Sequence, residues 1–328
     1  MKVLVSGGAG YIGSHAVRQL QRSGYEAVVF DNLSKGHREA VKDAPLYEGN
    51  LLDKDSLKRC FDGYRVDAVM HFAAFSLVGE SMKEPYKYYE NNVVGSLNLF
   101  KAAMDAGVDK FIFSSTAAVY GEPAVVPITE DCDKAPLNVY GRTKLVIEGI
   151  LKDFSDIYGI RYKTLRYFNA AGADEAGDIG EDHDPESHLI PIIYGFVNGR
   201  RDSLQVYGDD YNTPDGTCIR DYIHVTDLAD AHVLALRDLA AGGSSDVYNL
   251  GSENGFSVLD IIRAAEQATD RPIHYHVAPR RPGDPARLIA SSEKIRKSLG
   301  WVPQYGIEAI MESAWQFHSR YPLGYADI

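Results

Sequence analysis

The stretch "VSGGAGYIGSH", residues 5–15, decides the fold. It follows an apolar run at residues 2–5 and opens an amphipathic segment, 11–22. Gly7, Gly10 and Gly13 form G-x-x-G-x-x-G. Small residues at this spacing let a strand turn tightly into a helix and let backbone N–H groups approach a pyrophosphate at the helix N-terminus. A second apolar run, 26–30, ends on Asp31, 18 residues past Gly13. A carboxylate there accepts hydrogen bonds from ribose hydroxyls and repels a 2′-phosphate, so the reading is a dinucleotide site that prefers NAD to NADP.

Further along, apolar runs at 68–72, 110–113 and 163–165 read as buried parallel strands, with helical patterns between them at 11–22 and 85–106. Such alternation predicts an α/β fold: a doubly wound parallel (Rossmann) sheet covered on both faces. The texture changes near residue 170. Residues 172–188 are rich in Gly, Asp and Glu, and mixed short elements follow out to 309–319. The expected organisation is a NAD-binding domain at 1–170 and a smaller mixed α/β domain at 171–328 that holds the substrate, with segments crossing between them.

A formal net charge of −12 argues against a nucleic-acid partner, because an acidic surface repels phosphate. No apolar run approaches the ~20 residues of a membrane helix, and glycines interrupt the first apolar run, so neither a membrane anchor nor a signal peptide is expected. Cys60, Cys132 and Cys218 are scattered, without metal spacing. They read as free thiols in a reducing cytoplasm, and no metal is expected.

"FSSTAAVYG" (113–121) carries Thr116 at the end of a predicted strand, where ligands bind in a doubly wound sheet. "YGRTK" follows at 140–144. Tyr140 and Lys144 stand at i and i+4, on one helix face. A free phenol has a pKa of about 10, and bringing it near neutrality needs ~4 kcal/mol. A cation ~4 Å away supplies about that at an effective dielectric near 20, although desolvation opposes it. The arrangement therefore reads as a base, Tyr140, with Lys144 lowering its pKa and Thr116 holding a reacting hydroxyl.

With the glycine loop, these residues resemble the extended short-chain dehydrogenase/reductase family, and within it the nucleotide-sugar 4-epimerases. The segments "DNLS", "HFAA", "VGES", "YYENNV", "LRYFNAAG", "GRRDSLQVYGDDYNTPDGTCIRDYIHVTDLADAH", "YNLGS" and "RRPGDPA" carry the likeness over essentially the whole chain. It implies NAD contacts from Tyr11, Ile12, Asp31, Asn32, Asn50, Leu51, Phe72, Ala73, Asn91, Lys144 and Phe168, beside Gly7, Gly10 and Gly13. It implies that Thr116, Tyr140, Asn169, His188, Leu189, Tyr207, Arg220, Arg281, Asp284 and Leu288 hold a UDP-sugar. The implied reaction interconverts UDP-galactose and UDP-glucose at C4 through a 4-keto sugar, in a cytoplasmic homodimer paired through helices at about 84–106 and 138–158.

Departures from the best-known bacterial members are Thr116 for Ser, Ser76 for Lys, His188 for Asn and Asn50 for Asp. Dehydratases of the family carry Asp-Glu after the Thr, and decarboxylases a Glu at the second of these positions. Ala117 and Ala118 stand there, which disfavours both. A UDP-glucuronate 4-epimerase would need a basic group near C6. A redox-sensing NAD-binding regulator would not need Tyr140 and Lys144. Leu288, where some members have a bulky Tyr, points to room for N-acetylated hexoses.

Overall fold

The computed structural model describes residues 1–281 and 284–328; Pro282 and Gly283, within "RRPGDPA", lie outside the described residues. The strands in chain order are β1 (Lys2–Ser6), β2 (Glu26–Asp31), β3 (Leu46–Glu48), β4 (Ala68–His71), β5 (Lys110–Thr116), β6 (Arg161–Tyr167), β7 (Asn169–Ala171), β8 (Gln205–Tyr207), β9 (Ile219–His224), β10 (Asp246–Leu250), β11 (Gly255–Ser257), β12 (His276–Ala278) and β13 (Arg287–Leu288).

Seven strands form one parallel sheet, ordered β10-β6-β5-β4-β1-β2-β3. Chain order reverses between β1 and β4, so the loops after these strands splay apart and leave a crevice at their C-terminal ends. Side chains alternate across the sheet. Val3, Val5, Met70 and Ile112 pack beneath helices Tyr11–Arg22 and Val225–Ala240, whereas Leu4, Val69, Phe111 and Phe113 face helices Lys54–Tyr64, Gly95–Asp105 and Val139–Tyr158. Both faces are thus apolar, which is why these strands read as continuous runs.

Beyond residue 171 the chain builds smaller sheets. In one, β9 pairs with β7, β11 and β13; in another, β8 pairs with β12. Their core lies around Tyr194, Ile261, Ile310 and Met311. Helix Val225–Ala240 and β10 return to the large sheet, where β10 pairs with β6. The acidic stretch after β7 grips the first helix: Arg18 bonds Asp174 at 2.7 Å and Asp178 at 2.5 Å. No helix among the described residues is long and apolar enough to cross a membrane.

Candidate active site

The glycine loop is forced by contact. Gly7 has φ +75°, and a Cβ there would lie 2.5 Å from the Ala73 backbone nitrogen. A Cβ on Gly13 would lie 2.1 Å from the Gly7 carbonyl oxygen. Helix Tyr11–Arg22 begins after Gly10 with no side-chain cap and no acid in its first turn. Its first N–H groups are therefore available to an anion. Tyr11 donates its hydroxyl to the Gly172 carbonyl at 2.7 Å, and Ile12 packs against the core beneath.

Asp31 sits almost buried at the end of β2. Its carboxylate accepts the N–H groups of Ala9 (3.0 Å) and Leu33 (2.9 Å). Burial raises its pKa, and those backbone bonds oppose the rise. It holds the glycine loop while keeping lone pairs for a ribose. Asn32 accepts from the Ser34 N–H, and Asn50 from the Leu52 N–H, each shaping its own turn. Leu51 is buried in the core. The N–H groups of Phe72 and Ala73 both donate to the Ser6 carbonyl, which draws the β4 loop against the glycine loop. Phe168 follows β6 directly, and Ser76 is exposed.

Asn91 lies in a π-helical turn, Tyr89–Val94. Its neighbour Asn92 is fully buried. Asn92 accepts from the Phe75 N–H (2.8 Å) and donates to the Phe75 carbonyl (3.0 Å) and the Thr143 hydroxyl (3.1 Å). Sequence reading missed this cross-link between the β4 loop and the helix bearing Tyr140.

Thr116 ends β5, and its hydroxyl accepts the Ala118 N–H at 3.2 Å. Asn138 caps helix Val139–Tyr158 by accepting the Gly141 N–H at 2.8 Å. A Cβ on Gly141 would lie 2.6 Å from the Ala118 carbonyl oxygen, so glycine lets this helix abut the end of β5 and brings Tyr140 to Thr116. Burial pushes the Tyr140 phenol up to about 12, and its hydrogen bond with Thr116 pulls the other way. Lys144, 2% exposed, donates to the Ser114 carbonyl at 2.8 Å and lies 5.9 Å from the centre of the Tyr140 ring. Burial pushes it down to about 7, against the pull of Glu148. Desolvation thus outweighs the expected effect of lysine on tyrosine, and the protein's own groups do not bring the phenol near neutrality.

Behind Lys144 lies a buried network that sequence reading also missed. Glu148, one turn further along the helix, accepts Arg166 at 2.9 and 2.5 Å and the Ser115 hydroxyl at 2.5 Å. Arg166 also donates to the Tyr120 hydroxyl (2.8 Å), which donates to Asn249 (2.6 Å). The i+4 spacing of Lys144 and Glu148 was the available sequence signal.

The expected sugar-nucleotide residues fall on the smaller sheets and their loops. Asn169 opens β7, and Leu189 opens helix Leu189–Val197. The Arg281 guanidinium stacks 4.0 Å from the centre of the Tyr207 ring, and Arg220 pairs with Asp284. One face of the Tyr207 ring is thus covered by Arg281. His188 turns its imidazole to Glu181. Leu288 lies beside Arg220 in the register of β13 and β9, and packs against the cluster of Val119, Tyr120 and Ile128, as Phe168 also does.

The family profile described as "NAD dependent epimerase/dehydratase family" matches residues 3–251. The chain belongs to this family. Its cofactor is NAD, and the glycine cradle, the uncapped helix N-terminus and Asp31 fit that group. The family chain is 52% identical to a UDP-glucose 4-epimerase of Halalkalibacterium halodurans, over 99% of this chain and 98% of the relative. It superposes with a TM-score of 0.93 on a UDP-glucose 4-epimerase from Bifidobacterium longum solved with NAD+ and UDP, 39% identical over 99% of this chain and 100% of that one. A UDP-Glc/GlcNAc 4-epimerase from Campylobacter jejuni is 43% identical, with a TM-score of 0.85 over 97% and 99% of the two chains.

Proposed function

We propose that the chain interconverts UDP-galactose and UDP-glucose by inverting C4 of the hexose. One observation carries the reading. Leu288 links the strand of Arg220 to Val119 and Tyr120, just past Thr116, which supports a site shared by Arg220 and the Thr116–Tyr140–Lys144 group. Bound NAD supplies a reversible hydride acceptor and donor for C4. Gly7, Gly10, Gly13, Tyr11, Ile12, Asp31, Asn32, Asn50, Leu51, Phe72, Ala73, Asn91, Lys144 and Phe168 hold it.

Tyr140 takes the proton of the 4-hydroxyl and later returns it. Thr116 keeps that hydroxyl in line, and Lys144 favours the deprotonated phenol. Arg220 and Arg281 grip the diphosphate, with Tyr207, Asp284, Asn169, His188 and Leu189 around the nucleotide. Anchoring at UDP leaves the 4-keto hexose free to turn and present its other face. Ala117 and Ala118 supply no acid–base pair for elimination, which supports epimerisation over dehydration.

The working form is a cytoplasmic homodimer. Tyr86, Val94, Val146 and Ile157 are exposed apolar residues on the two helical regions expected to pair, which supports this. A division at residue 170 between a cofactor domain and a nucleotide-sugar domain, with helix Val225–Ala240 and β10 crossing back, belongs to the same reading.

The test is a coupled assay with UDP-galactose and no added cofactor. Turnover to UDP-glucose is expected. Turnover of UDP-glucuronate alone would replace the reading, and turnover of neither would favour a redox-sensing regulator. Leu288, shorter than the tyrosine of some members, favours a second substrate class, the UDP-N-acetylhexosamines. Overpacking costs about 1–3 kcal/mol, so Leu288→Tyr is expected to cut UDP-N-acetylglucosamine turnover roughly 5- to 150-fold and retain UDP-glucose turnover. Equal turnover in both proteins would remove Leu288 from the sugar pocket.

A further inference from the structure

We propose that Glu181, His183, Glu186 and His188 form a four-ligand divalent-metal site suited to Zn2+. Each offers one donor atom, and all four donors lie within 4.8 Å of one another. His183 Nδ1 stands 3.4 Å from Glu181 Oε1 and 3.5 Å from Glu186 Oε2. These separations are long for hydrogen bonds. These two separations match the ~3.4 Å edge of a tetrahedron whose metal–ligand bonds are about 2.1 Å, whereas His188 stands closer to Glu181 than such an edge, so an entering ion displaces that hydrogen bond. His188 presents its own Nδ1 to the same Glu181 oxygen, and the two imidazoles meet edge to face at 5.3 Å.

The carboxylates are set for this role before any ion arrives. Glu186 Oε1 accepts the N–H groups of Ser187 (2.7 Å) and His188 (2.8 Å), which aims Oε2 inward. Glu181 is 4% exposed, and a buried carboxylate is stabilised by a cation beside it. Among the described residues, only the two histidines pair with these carboxylates; no Lys or Arg does. Two imidazoles and two carboxylates suit Zn2+ better than Mg2+ or Ca2+, which prefer all-oxygen shells. The expectation of a metal-free chain rested on cysteine spacing, and this cluster contains no cysteine.

The site lies at a junction. The four ligands fall in one eight-residue stretch that leads into helix Leu189–Val197. The His183 ring also meets Tyr11, on the first turn of the cofactor helix, edge to face at 6.3 Å. With four protein ligands the centre is closed. Its effect is to clamp the stretch between the cofactor helix and the helix headed by Leu189.

The test uses the full chain with its NAD, dialysed against a chelator. Zn2+ is titrated by calorimetry and Co2+ by visible absorption, with a thermal scan alongside. One Zn2+ per chain, the intense visible bands of tetrahedral Co2+ and a Zn2+-dependent rise in unfolding temperature are expected. Glu181→Gln and His183→Ala should weaken binding at least ~100-fold. His276→Ala, at an exposed histidine elsewhere, should leave it unchanged. Glu181→Gln preserves the side-chain shape, so it carries the test if His183→Ala does not fold. Absence of stoichiometric uptake by the wild type overturns the proposal, as does uptake that both ligand variants retain.

Discussion

Tyr140 and Lys144 sit in a site that works against both of their charged forms. Burial carries the phenol to about 12 and the ammonium to about 7. A base of this kind is usable only where further positive charge opposes desolvation, and the oxidised nicotinamide ring brings such charge. Glu148 supports the same arrangement from behind, because its carboxylate favours the charged form of Lys144 while it is itself held by Arg166 and Ser115. The Tyr140→Phe variant keeps the ring and loses the proton acceptor. It is expected to retain bound NAD, read by its absorbance after release, while turnover of UDP-galactose falls at least ~10²-fold, the low end for loss of a general base. Near-normal turnover would take Tyr140 out of the reaction.

Helix Val139–Tyr158 delivers this chemistry only because it can lie against the end of β5. Gly141→Ala places a methyl group where 2.6 Å separates it from the Ala118 carbonyl oxygen, which must move the helix or the loop. Misplacement by ~1 Å can cost about 10²-fold in rate. Gly141→Ala should therefore lose at least ~10-fold in kcat while NAD content and circular dichroism stay normal; an unchanged kcat would show that the contact relaxes harmlessly. Local spacing made much of this legible. The glycine loop, Asp31, Thr116, Tyr140 and Lys144 each lie within or beside an element whose pattern is short-range, and the strands β1, β2, β4, β5 and β6 were visible as apolar runs. What was hidden depends on distant partners. β10 joins β6 across some 80 residues, through Asp246 opposite Lys163, and no periodicity encodes that edge. Arg166 meets Glu148 from a separate strand. The stretch read as one helix at 85–106 is broken by the π-helical turn Tyr89–Val94, whose Asn92 is committed to the Phe75 backbone and Thr143.

Burial leaves several titratable groups in water-free surroundings, and these groups respond to acid with opposite signs. His15, His224 and His232 are each pushed down to about 4 by burial, and His71 to about 3. In the unfolded chain each titrates near 6.5. Their folded values are depressed, so the stability they protect is complete above pH ~6.5 and is lost as pH falls and the unfolded state takes up protons. Asp221 and Asp227 act with the opposite sign. Burial raises both to about 6, above the ~3.9 of an unfolded aspartate, so the folded state takes up protons first and gains stability on acidification. Between pH ~6 and ~4 the four histidines outnumber the two aspartates, so these six groups together bind more protons in the unfolded state and their contribution to stability falls over that interval. The thermal midpoint should accordingly fall between pH 6 and pH 4. His232 isolates one contribution. Its ring lies tilted against Phe72 at 4.8 Å, and its Nε2 has no partner among the described residues. In the His232→Phe variant the ring contact is kept and the titration removed, so the pH dependence should flatten by about one proton. A midpoint that holds or rises from pH 6 to pH 4, or an unaltered slope in His232→Phe, would mean that these histidines are not held neutral in the folded protein.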